Sequence, residues 1–91
     1  MADEQRRVRF FGNVQGVGFR YTACRLAGDY DLTGHVRNLP DGSVECLVEG
    51  RGEEIDAFLD ALGERMRGHI GNRTQETAEA TGAYRSFDVR F

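Results

Sequence analysis

The residues best suited to chemistry form one short run, Gly12-Asn13-Val14-Gln15-Gly16-Val17-Gly18-Phe19-Arg20. Glycines at 16 and 18 allow successive backbone N–H groups to turn inward as an anion nest. A helix starting at Phe19 would add unpaired N–H donors and the positive end of a dipole. Arg20 brings a permanent charge and a planar fork matched to phosphate oxygens. Together these groups could cradle one phosphoryl group. The competing reading is a flexible glycine turn beside a surface arginine. A cation at a helix start opposes the dipole, which tilts the balance toward a bound anion. Asn38 is the second candidate, either a turn residue ahead of Pro40 or a group that orients a water.

The elements that must position these residues follow from hydrophobic periodicity. Over 6–13, Val8 and Phe10 alternate with Arg7, Arg9 and Phe11, the two-residue period of a strand. Phe19, Ala23, Leu26, Ala27 and Tyr30 make one face of a helix over 19–30. Gly28 weakens its last turn by about 1 kcal/mol relative to alanine. A strand over 34–38 and another over 44–49 flank Leu39-Pro40-Asp41-Gly42-Ser43, a hairpin turn. A second helix runs from Glu53 to near Gly68, burying Ile55, Phe58, Leu59, Leu62 and Met66. Residues 87–91 alternate again, and a further strand is expected in the polar stretch 72–82. The order β-α-β-β-α-β, with a short extra strand, indicates an α+β ferredoxin-like sandwich. One mainly antiparallel sheet would carry both helices on one face. Phe11 and Leu47 would project from the other face and need partial cover. In this topology the first two strands are parallel, so their C-terminal ends share one sheet edge. Asn38 then faces the glycine loop across one intervening strand, a gap of about 10 Å.

Composition narrows the function classes. Ninety-one residues, 40% hydrophobic and 30% charged, support a single domain over 6–91 behind a flexible 1–5. Net charge is −3, and all 12 basic residues are arginine. Without lysine, a Walker-type phosphate loop and Schiff-base chemistry are excluded. The acidic balance argues against a nucleic-acid partner. No apolar run reaches the roughly 18–20 residues of a membrane span. The N-terminal residues lack the hydrophobic segment of a secretory signal, so a cytoplasmic protein is expected. Cys24 and Cys46 form no CxxC pair and read as free thiols. His35 and His69 lack ligand spacing and read as structural or solvent-facing. Glu45, Glu49, Glu53 and Glu54 read as a solvated acidic surface rather than a metal site, and Arg6, Arg7 and Arg9 as an exposed basic patch. No metal, no cofactor and no obligatory dimer are expected; a monomer is the simplest reading.

The run from Gly12 to Arg20, with Gly34-His35-Val36-Arg37-Asn38 and Pro40-Asp41-Gly42-Ser43-Val44 after it, resembles the acylphosphatase family. The family loop reads G-x-V-Q-G-V-x-F-R, and every fixed position is matched. The resemblance extends from about Arg6 to Phe91. It implies metal-independent hydrolysis of small acyl phosphates to a carboxylate and inorganic phosphate. By the same resemblance Arg20 binds the phosphoryl group with the backbone amides of Gln15, Gly16, Val17, Gly18, Phe19 and Arg20. Asn38 would position the attacking water. A carboxylate leaves with a conjugate-acid pKa of about 4–5, so no general acid is required.

Three places depart from the family pattern. Tyr30-Asp31-Leu32 replaces the usual L-G-L, so Asp31 is expected to adopt positive φ at some strain. His35 stands where a large aromatic is usual, which would loosen packing there. The stretch 72–82 lacks alternating valines. Two other function classes compete. A non-catalytic module could bind a phosphorylated ligand through the same loop without turning it over. An RNA-recognition domain shares the strand order, but it needs exposed aromatics on its central strands, and residues 44–49 have none.

Overall fold

The computed structural model describes residues 3–91. Its elements are β1 (Glu4–Gly12), α1 (Phe19–Ala27), β2 (Leu32–Asn38), β3 (Val44–Gly50), α2 (Gly52–Arg65), β4 (Ile70–Glu79) and β5 (Phe87–Val89). They form one five-stranded sheet in the order β4-β1-β3-β2-β5. β1 and β2 each pair antiparallel with β3 and therefore run parallel to one another. β5 extends the sheet by pairing parallel to β2. The ferredoxin-like sandwich expected from the periodicity is present, with both C-terminal strands.

The main core lies between the sheet and the helices. Val8, Phe10, Val36, Val44, Cys46 and Val48 come from the sheet, and each is fully buried. They meet Phe19, Ala23 and Ala27 from α1 and Ile55, Phe58, Leu59 and Leu62 from α2. The Phe10 and Phe19 rings lie 5.0 Å apart. That contact ties the end of β1 to the start of α1 and sets the span of the intervening loop.

All seven residues of β3 are buried, so the central strand is covered on both faces. The second cover is the chain between β4 and β5, which crosses from one sheet edge to the other. Glu49 anchors it by accepting hydrogen bonds from the Thr81 N–H at 2.9 Å, the Thr81 hydroxyl at 2.8 Å and the Gly82 N–H at 3.0 Å. Leu47, expected on this face, is buried, and Phe11 is half-buried.

This crossover overturns the reading of Glu45 and Glu49 as solvated surface: they are 2% and 4% exposed. Their charges are compensated in place. Arg37 Nε donates to Glu45 at 2.9 Å, with Arg7 3.7 Å away. Gln5 Nε2 donates to Glu49 at 2.7 Å. Only Glu53 and Glu54 of that run lie on the helix side, where they favour the α2 dipole. Arg6 is likewise buried rather than exposed, paired with Glu4 and Asp56, while Arg7 and Arg9 are exposed.

Element ends also differ from expectation. β1 begins at Glu4, so Glu4 and Gln5 lie in the sheet rather than in a flexible terminus; residues 1–2 lie outside the described residues. α1 stops at Ala27, three residues early, with Gly28 just beyond it. The chain then reverses through tight turns, Asp29 N–H to Leu26 O at 3.0 Å and Tyr30 N–H to Ala27 O at 3.2 Å. Among the described residues no non-glycine residue has positive φ, so the strain expected at Asp31 is absent. The earlier helix end lets ordinary turns do the work, and Glu54 accepts the Asp31 N–H at 2.8 Å. His35 does not loosen its edge; it is buried, its ring 5.6 Å from that of Tyr84 on the crossover. β4 is polar because it is an edge strand, exposed from Gly71 to Glu79.

Candidate active site

The C-terminal ends of β1, β2 and β5 meet the N-terminal end of β3 at one edge of the sheet. Val44 at the start of β3 pairs with Phe10 on one side and Asn38 on the other. The loop leaving β1 and the last residue of β2 thus flank a single strand, as the topology requires.

Gly12 turns the chain out of β1 at φ 125°. A Cβ there would meet Gly71 N and His69 O at 2.6 Å, so no larger residue fits beside β4. Val14 is fully buried and pins the loop from below. Gly16 and Gly18 follow at φ 77° and 78°, the left-handed conformation that an L side chain adopts only with strain. Gly18 is also the N-cap of α1. No side chain caps that helix, and no acidic residue lies in its first turn. Its amide donors face the loop without a protein carboxylate to satisfy them.

Gln15 fixes this loop to the hairpin after β2. Its Nε2 donates to Leu39 O and to Ser43 O, each at 2.9 Å. The hairpin is closed by Leu39 N–H to Ser43 O and by the Asp41 carboxylate, which accepts from the Ser43 N–H and hydroxyl. Asn38, adjacent to Leu39, is held in register with the glycine loop by this one amide. The sequence alone gives Gln15 a role only through its backbone; its long amide at a fixed motif position is the signal for this bridge.

A cavity of about 360 Å³ opens here, bringing Gly16, Gly18, Phe19, Arg20 and Asn38 together. Of the residues expected at the site, Gln15 and Val17 do not line it. The Gln15 side chain faces the hairpin and that of Val17 packs against the core, so what these two residues could offer a ligand is the backbone amide. Tyr21, Cys24, Val89 and Phe91 line the cavity and were missed by sequence reasoning. The signal for the last two was topological, because a strand parallel to β2 must end at the same edge. The Arg20 guanidinium lies over the Phe91 ring, 5.2 Å from its centroid. Burial pushes the Cys24 thiol up, with the Asp88 carboxylate adding to the effect, so it stays protonated at neutral pH. Among the described residues, no carboxylate or imidazole side chain lines the cavity, and no three His, Cys, Asp or Glu residues cluster as metal ligands.

The fold and this edge define the chain as an α+β sandwich with a glycine loop, a free helix start and an arginine converging on one cavity. A family model described as Acylphosphatase matches residues 6–89. An acylphosphatase of Paenarthrobacter aurescens (strain TC1) is 40% identical, with 98% of each chain covered. One from Methanospirillum hungatei JF-1 is also 40% identical, over 87% of this chain and 88% of its own. The crystal structure of acylphosphatase from Bacillus subtilis superposes with a TM-score of 0.86 at 28% identity, covering 97% of this chain and 99% of that one. The chain belongs to the acylphosphatase family.

Proposed function

We propose that Arg20 and the amides of residues 15–20 hold the phosphoryl group of a small acyl phosphate while Asn38 positions the attacking water. Family membership makes the chain an acylphosphatase, a hydrolase, and disfavours a binding module without turnover. The single observation that carries the residue roles is the shared cavity of Arg20, Asn38 and the glycine loop.

In this reading the water oxygen forms a bond to phosphorus as the bond from phosphorus to the acyl oxygen breaks. The electron pair leaves with the carboxylate, which is stable without a proton. With no carboxylate or imidazole side chain among the described residues that line the cavity, the water's proton passes to a phosphoryl oxygen of the substrate. The products are a carboxylate and inorganic phosphate. The transition state is loose, with charge spread over the equatorial oxygens. Arg20 and the oriented amides meet that charge without reorganising, so electrostatics and positioning supply most of the acceleration.

Residues 6–91 act as one unit in this proposal, as a cytoplasmic monomer without metal or cofactor. Free Cys24 and Cys46 fit a reducing compartment, and among the described residues no helix is long and apolar enough to cross a membrane. The covered β3 also leaves no exposed central platform of the kind RNA-recognition sheets use. The test is hydrolysis of benzoyl phosphate in the presence of a chelator. Undiminished turnover is expected; turnover that requires added metal would overturn the metal-free mechanism.

A further inference from the structure

Among the described residues, two large apolar side chains stand exposed, Tyr21 at 67% and Phe91 at 99%. Single exposed aromatics are ordinary on a protein surface. These two are not scattered: both line the cavity that holds Arg20 and Asn38. They come from different elements, Tyr21 from the first turn of α1 and Phe91 from just beyond β5. Val89 and the protonated thiol of Cys24 continue the same wall.

The cavity is therefore two-sided. Gly16, Gly18, Arg20 and Asn38 make a polar end suited to a phosphoryl group. Tyr21, Cys24, Val89 and Phe91 make an apolar end that nothing in the hydrolytic step uses. Concave sites with an apolar wall and a few converging polar groups are built to hold an apolar body in a fixed orientation. Two arginines touch this wall. Arg20 sits over the Phe91 ring, and the Tyr21 hydroxyl lies 3.4 Å from Arg25 Nη1, one helical turn on.

We propose that Tyr21, Val89 and Phe91 form the subsite for the acyl group. The chain then selects acyl phosphates with an aromatic or bulky apolar acyl group over acetyl or carbamoyl phosphate. The inference rests on the proposed phosphoryl site, because that site fixes which end of the substrate reaches the wall. Contact with the rings removes apolar surface of both partners from water, and the gain grows with the size of the acyl group.

The experiment compares kcat/KM for benzoyl phosphate and acetyl phosphate in the full chain and in Tyr21→Ala, Phe91→Ala and Phe91→Leu. Both carboxylates are similar leaving groups, so a change in the ratio between substrates reports the acyl subsite. The alanine variants should each lower the benzoyl-to-acetyl ratio by about fivefold or more, the scale of losing part of an apolar pocket. Phe91→Leu should recover most of it. Loss of the Phe91 ring also disturbs Arg20, but that slows both substrates together and leaves the ratio alone. Both side chains are solvent-exposed, so the variants should fold. An unchanged ratio in both alanine variants, with activity retained, overturns the subsite and leaves the phosphoryl site standing. No turnover of either substrate by the unaltered chain overturns both.

Discussion

Arg20 and Asn38 are proposed to do different work, and their substitutions should separate. Arg20→Ala removes the one fixed positive charge among the described residues that line the cavity, and kcat/KM should fall by roughly 10³-fold, the scale of losing a preorganised charge-stabilising donor. Arg20→Lys should recover little. A point charge cannot reproduce two parallel N–H donors, nor lie flat over the Phe91 ring as the guanidinium does. Asn38→Ala should lower kcat on the order of a hundredfold. Inhibition by inorganic phosphate should stay within about twofold in that variant, because the phosphate is held by other groups. Steady-state kinetics with phosphate as a competitive inhibitor checks all three. A large loss of phosphate affinity in Asn38→Ala would make it a phosphoryl ligand instead of a water-positioning residue.

At the scale of elements, the loop and the hairpin act as one piece because Gln15 joins them. Gln15→Ala leaves Leu39 O and Ser43 O without this donor, at a cost of about 1–2 kcal/mol. Activity should fall more than that loss of stability suggests, since the glycine loop and Asn38 lose their common register. Gly16→Ala tests the loop alone. Open space surrounds a Cβ at that position, so the penalty is the left-handed backbone, roughly 1–2 kcal/mol. Relaxing it would rotate the neighbouring amides and weaken phosphate binding, read as a smaller rise in melting temperature on adding phosphate. Much of this piece was legible in the sequence, because glycines, a helix start and a turn signal are local features. The strand pairing that puts Asn38 across from the loop followed from element order. The Gln15 bridge joins residues 24 and 28 positions apart, and no periodicity records it. The end of α1 was misread because helical spacing continues to Tyr30 while the chain itself turns after Ala27.

At the scale of the whole molecule, the sheet face away from the helices was the least legible part. Its cover comes from residues about thirty positions downstream of β3, and that crossover buries two carboxylates, Glu45 and Glu49, of a run that reads as acidic surface. The arrangement makes a prediction about acid. Burial holds the His35 imidazole below its ordinary value near 6.5; Glu45 opposes this through a contact at 3.4 Å, while Arg90 and Arg37 reinforce it. A depressed histidine contributes stability above that value and loses it as pH falls further. Burial alone would raise Glu45 and Glu49. The arginines around Glu45, and the Thr81, Gln5 and Gly82 donors on Glu49, more than offset it and leave both below 4.5. Their contribution is present above that value and lost below it. Urea midpoints should therefore fall in two stages on acidification, a first beginning near pH 6.5 and a second below 4.5. His35→Phe should erase the first stage and keep the second, because a phenyl ring can still pack on Tyr84 without taking up a proton. Glu49→Gln should lower stability at neutral pH by about 1–3 kcal/mol and flatten the second stage. A first stage that persists in His35→Phe would place the titration elsewhere, with exposed groups rather than with the ring beneath the crossover.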